Sequence, residues 1–150
     1  MRAVIQRVTE ASVAVDNEIK EKIAKGLLIF LGVSEDDDEK DIRWLAEKIC
    51  KLRIFPDANN VMNLCLRDVN GQALVISQFT LLASYKKGNR PSYIRAGKPE
   101  QANSSYLKFV AYLEGELGRP VGKGIFGAYM QISLTNDGPV TIWMDTKNKE

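Results

Sequence analysis

The sequence predicts a single α+β domain over residues 1–150, a largely antiparallel sheet with a barrel-like core and two main helices packed on it. Three observations carry that prediction. Short Val- and Ile-rich runs fill the first third, two longer segments repeat apolar residues at a helical period, and turn sequences separate the remaining apolar runs.

Taken in order, Ala3–Val8 and Ala11–Val15 read as short strands, and Ile19–Ile23, with Lys and Glu interleaved, reads as an edge strand. Leu27–Val33 is a continuous apolar run between Gly26 and an acidic turn. Ser34 to Asp38 offers N-cap residues and negative charge for a helix start. Ile42, Leu45, Ala46, Ile49 and Leu52 then recur at i, i+3, i+4 and i+7, so Glu39–Leu52 is an amphipathic helix ended near Arg53 and Pro56. Asn70-Gly71 is a hairpin signal between Val61–Leu66 and Ala73–Thr80.

Ser84–Lys98, with Gly88, Pro91 and Gly97, reads as irregular, solvent-facing chain. Pro99 suits the first turn of a second helix, whose buried stripe is Ala102, Tyr106, Phe109, Val110, Leu113 and Leu117, and Gly118 with Pro120 stops it. Gly127–Leu134 and Val140–Asp145 read as two strands around Thr135-Asn136-Asp137-Gly138-Pro139. The element order is therefore β-β-β-α-β-β-α-β-β.

The residue count that excludes most is zero histidines. It removes Ser-His-Asp and Cys-His nucleophiles, histidine general bases and most catalytic zinc sites. Chemistry is left to carboxylates, lysines, hydroxyls, the backbone or the substrate itself. Cys50 and Cys65 lie in apolar stretches without CxxC spacing and read as free core thiols in a reducing cytosol. No apolar run approaches the ~18–20 residues that span a bilayer, and Arg7 and Glu10 break any signal-peptide core, so a cytoplasmic protein is expected.

The net charge of +2 is unremarkable, but its distribution is not. Lys86, Lys87, Arg90, Arg95 and Lys98 fall in Ser84–Lys98 without an acid, whereas Glu35–Asp41 is almost wholly acidic. Lysines on a Gly/Pro loop are usually just solvated. Here Tyr85 and Tyr93 are interleaved with the cations, and aromatic faces beside cations suit unpaired RNA bases and phosphates. The acidic run reads as a helix start in preference to a Mg²⁺ site. Trp44 and Trp143 read as core or interface.

Two segments could carry chemistry. In Ser77-Gln78-Phe79-Thr80-Leu81, hydroxyls and successive backbone N–H groups follow a buried-looking run, the makings of an oxyanion hole or anion nest, though a plain strand-end turn uses the same residues. In Asn136-Asp137-Gly138-Pro139, a Gly-Pro turn is ordinarily only a turn. In the cis form it would hold two backbone carbonyls in a fixed direction with no side chain in the way.

SQFTL at Ser77–Leu81, KGNRPSY at Lys87–Tyr93, GIFGAYM at Gly124–Met130 and NDGPVT at Asn136–Thr141 occur in order, with MRAVIQRVTEASV, GLLIFLGV, KICKLRIFPD and MNLCLRD before them. Together they resemble the D-aminoacyl-tRNA deacylase family from Met1 to about Thr146. Many members read RPSFH and FGADM, whereas this chain has Tyr93-Ile94 and Tyr129 at those places.

The resemblance implies a homodimer with its active site at the subunit interface, where a Gly-cis-Pro dipeptide, here Gly138-Pro139, reaches in from the partner. Ser77, Gln78, Phe79 and Thr80 would line the catalytic pocket beside Ala102, and Lys86, Lys87, Arg90 and Arg95 would hold tRNA. No cofactor or metal is implied. The implied reaction is hydrolysis of the ester of D-aminoacyl-tRNA, assisted by the neighbouring ribose hydroxyl and by backbone N–H groups near Phe79 and Thr80. Thr80 as a covalent nucleophile is the alternative, and it lacks an adjacent base. An L side chain would collide with the Gly-Pro main chain, whereas glycine would not, so glycyl-tRNA, including glycine mischarged on tRNA-Ala, is expected to be a substrate. A non-catalytic RNA-binding module and a hydrolase of other small esters or N-substituted D-amino acids are the competing readings.

Overall fold

The computed structural model describes residues 1–150. The chain opens with one strand of fourteen residues, β1 (Arg2–Val15), where two were expected. It returns as β2 (Glu18–Ile23) and β3 (Gly26–Gly32), which share one edge of β1: Ala11 faces Ile23 and Val8 faces Gly26. Helix α1 (Glu39–Lys51) and a small ribbon of β4 (Phe55–Pro56) with β5 (Met62–Leu64) lead to β6 (Gln72–Ser77), parallel to β3. A 3-10 turn (Phe79–Leu82) and helix α2 (Pro99–Leu117) follow. The two-residue strand β7 (Gly122–Lys123) pairs parallel to β6, and β8 (Gln131–Asp145) takes the other edge of β1. The sheet curls until β2 meets β7, which gives it a nearly closed, barrel-like form with two helices outside.

The sheet is largely antiparallel, as expected, through the pairings of β1, but it is parallel across β3–β6–β7. The sequence carries the reason. Leu27, Ile29 and Leu31 join Ala73 and Val75 in the cluster under the helices, while Leu28 joins Leu74 and Ile76 in a second cluster with Val8 and Val13. Strands buried on both faces read as unbroken apolar runs, and such strands are characteristically parallel. Ala73–Ser77 therefore pairs with β3, and the hairpin expected between Val61–Leu66 and Ala73–Thr80 does not form. Asn70 still takes a left-handed φ of 57°, but in a turn that ends a crossover. The last expected strand pair is likewise a single strand, because both halves of β8 bond to β1 and neither bonds to the other.

Both helices follow the apolar periods read from sequence. Asp38 caps α1 in a capping box with Asp41, and Ile42, Leu45, Ala46 and Ile49 are buried. Pro99 opens α2 and Gly118 closes it at φ 68°, with all six stripe residues buried. Each buried Ile, Leu, Val or Phe among them contributes roughly 1.5–3 kcal/mol on burial. The Tyr106 hydroxyl donates to the Val75 carbonyl at 2.8 Å, tying α2 to β6, and burial pushes its pKa up to about 12. Both cysteines are free, but only Cys50 is buried; Cys65 lies at the half-covered end of β5, not in the core. Trp143 stands 51% exposed on β8 under the Arg2 guanidinium, and Trp44 is half-buried. No helix is long and apolar enough to cross a membrane.

Candidate active site

A cavity of about 490 Å³ opens where β6 ends. Leu31 and Val33 from the end of β3 form part of its apolar lining, Pro99 and Ala102 start α2 on one side, and Met130 and Ile132 lead into β8 on the other. Ser77, Gln78 and Phe79 line it where the chain leaves β6. Apolar walls with a few convergent polar groups are the usual form of a small-ligand site. The chain can turn away from the sheet here because Gly32 lies beneath it. A Cβ at Gly32 would come within 2.6 Å of Leu82 Cδ2 and 3.0 Å of the Gln78 carbonyl oxygen.

The turn leaves donors free. Gln78 N–H is used on the Leu31 carbonyl at 2.8 Å, and Leu81 N–H on the Gln78 carbonyl at 3.2 Å. Phe79 and Thr80 occupy the first positions of the 3-10 turn, where N–H groups have no acceptor within the helix, and no side chain caps them. The Phe79 amide belongs to a residue that lines the cavity and the Thr80 amide follows it in the turn, and free amides of this kind can stabilise charge developing on an oxygen.

Thr80 does not line the cavity, and its hydroxyl oxygen accepts from the Gln78 amide nitrogen at 2.5 Å. That bond engages a lone pair without supplying a base. No carboxylate, lysine or cysteine lines the cavity either, and its titratable side chain is Tyr129, 87% exposed at the rim. Near the mouth Phe79 packs edge-on against Tyr93 with ring centroids 4.9 Å apart.

Of the residues singled out from sequence, Ser77, Gln78, Phe79 and Ala102 therefore come together. Gly138 and Pro139 do not join them within the chain. They lie on β8 in a bulge, with the Gly138–Pro139 peptide cis. Gln6 faces Thr141 while Val8 faces Asn136, so two steps along β1 span five along β8 and three residues are extruded. The bulge is exposed at Gly138 and Pro139 and anchored at its base. Arg7, 8% exposed, donates from Nε to the Asp137 carbonyl oxygen at 2.9 Å, pairs with the Asp137 carboxylate at 3.2 Å, and also bonds the Ile54 carbonyl. Arg7, Asn136 and Gly32 escaped the sequence reading. The signal for Arg7 was a cation on the inward face of β1, in step with Ala3 and Ile5.

Lys86, Lys87 and Arg90 are exposed on a loop closed by paired 2.8 Å bonds between Ser84 and Ser92. None of them, nor Arg95 or Lys98, forms an ion pair. Arg95 stands apart from them in a separate recess shared with Arg2 and Lys147.

Residues 4–145 match the family model described as D-Tyr-tRNA(Tyr) deacylase. The chain is 59% identical to a D-aminoacyl-tRNA deacylase of Flavobacterium psychrophilum and 55% identical to one of Porphyromonas gingivalis, each covering 100% of both chains. Among solved structures it is similar to one described as c-Myc DNA Unwinding Element Binding Protein, at 38% identity and a TM-score of 0.90, covering 97% of this chain and 98% of that one. A probable eukaryotic D-amino acid tRNA deacylase shares the fold at 15% identity and a TM-score of 0.80, over 95% and 97% of the two chains. The chain belongs to the D-Tyr-tRNA(Tyr) deacylase family of hydrolases.

Proposed function

We propose that this protein hydrolyses the ester of D-aminoacyl-tRNA in the cytoplasm, releasing free D-amino acid and tRNA. The observation that carries the reading is the base-free cavity with unused N–H groups at the Phe79–Thr80 turn. An aminoacyl ester is already activated, and its ribose hydroxyl can assist the attack of water, so a strong enzymatic base is not required. The two amides stabilise the developing oxyanion, at ~2.7–4 kcal/mol for each donor. Thr80 lines the approach without forming a covalent intermediate.

Residues 1–150 act as one domain in a homodimer whose site is shared. Supporting this, β8 bonds to the sheet along one edge only, exposes Leu134 and Trp143, and carries Gly138–Pro139 outside the cavity of its own chain. In the dimer the Gly138 and Pro139 carbonyls of the second copy hold the substrate ammonium. A D side chain then points to open space and an L side chain meets main chain, so rejection is steric and independent of side-chain identity. Glycine passes the same filter, which makes glycyl-tRNA, including glycine mischarged on tRNA-Ala, a substrate. Lys86, Lys87, Arg90 and Arg95 bind the acceptor end of the tRNA, with Tyr85 and Tyr93 offered to unpaired bases.

Incubation with D- and L-tyrosyl-tRNA tests the proposal. Selective release of D-tyrosine is expected. Equal release of both, or binding without release, contradicts it.

A further inference from the structure

We propose that Asn136 is a positioning residue for chiral selection, because its side chain closes the neck of the β8 bulge in place of a neighbouring strand. The inference rests on the reading that the Gly138–Pro139 main chain is the wall that rejects L substrates. Residues 137–139 have left the β1 ladder, so the ladder does not set where they stand. Asn136 does part of that work. Its Oδ1 accepts from the Val140 N–H at 2.8 Å, and its Nδ2 donates to the Val140 carbonyl at 3.1 Å and to Thr141 Oγ1 at 3.3 Å.

One carboxamide thus binds both polar groups of one residue, as an adjacent strand would. The orientation of the amide is fixed by its partners, since the Val140 N–H can only donate. Asp at this place lacks the donor, Ser offers a single group, and Gln is one methylene too long. Thr141 Oγ1 also accepts from Gln6 Nε2 at 3.2 Å, which carries the closure back to β1.

A steric filter works only while its wall stays still, and displacements near one ångström are enough to weaken a positioned site. Opening the neck lets the wall retreat from an L side chain. The effect expected is a selective rise in hydrolysis of the L ester, with a smaller loss on the D ester. The charged groups nearby are already paired with each other, Arg7 with Asp137 at 3.2 Å and Lys22 with Glu10 at 3.3 Å, and none bonds the Asn136 side chain.

The test compares the full-length protein with its Asn136→Ala and Asn136→Asp variants on D- and L-tyrosyl-tRNA. In Asn136→Ala the D:L ratio of kcat/KM is expected to fall about tenfold or more at every pH. In Asn136→Asp it falls similarly near neutrality, where an ionised oxygen faces the Val140 carbonyl. Protonation turns that oxygen into a donor and restores the two-point closure. The ratio for Asn136→Asp is therefore expected to climb back toward wild type as pH drops from about 6 to about 3.5, through the usual aspartate value of about 3.9, while that of Asn136→Ala stays flat. A merely structural role would not separate the two variants in this way. Wild-type ratios in both variants, or the same flat pH course in both, overturn the inference. A wild-type protein that shows no preference for the D ester overturns the underlying reading as well, and needs no variant to reveal it.

Discussion

The buried guanidinium of Arg7 stands 2.9 Å from the Asp137 carbonyl oxygen and 3.2 Å from its carboxylate, so β1 grips the base of the loop that β8 extrudes. Arg7→Met is expected to leave the Ile54 and Asp137 carbonyls without their donor. It should cost about 1–3 kcal/mol in a denaturant melt and lower the preference for D over L substrate. A variant with unchanged stability and unchanged preference would show that the grip is incidental.

Thr80 offers a sharper question about chemistry. Its hydroxyl accepts from Gln78 and has no base beside it. Thr80→Ala is expected to retain turnover within about tenfold of wild type, since an activated nucleophile needs a base that this site lacks. A loss of about a thousandfold in kcat would instead place a covalent step on that oxygen.

Asp41 sets a pH dependence of stability. Burial alone would raise its carboxyl, but the Asp38 N–H at 2.9 Å, Lys147 at 2.7 Å and the Thr146 hydroxyl more than offset this and hold it well below the usual range. With a depressed folded-state value, its contribution is complete above the unfolded value of about 3.9 and declines as pH falls further, because the unfolded chain then takes up the proton first. Asp41→Asn is expected to melt at a lower temperature at pH 7, and its deficit against wild type should shrink below about pH 4. A deficit that widens in acid would contradict the assignment.

The unpaired lysines on the Ser84–Lys98 loop make a prediction about salt. Replacing Lys86 and Lys87 with Ala should reduce the slope of log affinity for tRNA against log salt by about 1–2, with little change in the D:L ratio. An unchanged slope would remove the loop from the RNA interface.

How far these features could be read from sequence depends on whether the deciding interaction is local. The α2 stripe from Ala102 to Leu117 and the Asp38 cap are local, and both stand where periodicity and capping chemistry put them. The pairing of Ala73–Ser77 is not. Asn70-Gly71 signalled a hairpin, but burial of β3 and β6 on both faces outweighed a turn propensity and made them parallel partners. The three residues extruded from β8 were read as a turn between two strands, because β1, distant in sequence, supplies the ladder on either side of them. The strand-end segment Ser77–Leu81 was legible as a candidate site, and Ser77, Gln78 and Phe79 line the cavity while Thr80 and Leu81 do not. The anchors of the bulge were harder to see: Arg7 and Asn136 matter through partners at Asp137, Ile54 and Val140 that only the folded chain supplies.

In the proposed dimer the cavity of one chain is completed by the main chain of the other. The most direct test mixes two variants, Ala102→Phe, which fills the cavity, and Gly138→Val, whose Cβ would lie 2.7 Å from Val140 Cγ2 and its backbone nitrogen. Each variant alone is expected to be nearly inactive on D-tyrosyl-tRNA. If the site is shared, unfolding and refolding them together in equal amounts restores about a quarter of wild-type activity, since half of the dimers are mixed and each mixed dimer has one intact site. A mixture no more active than its components would mean that each chain builds its site alone.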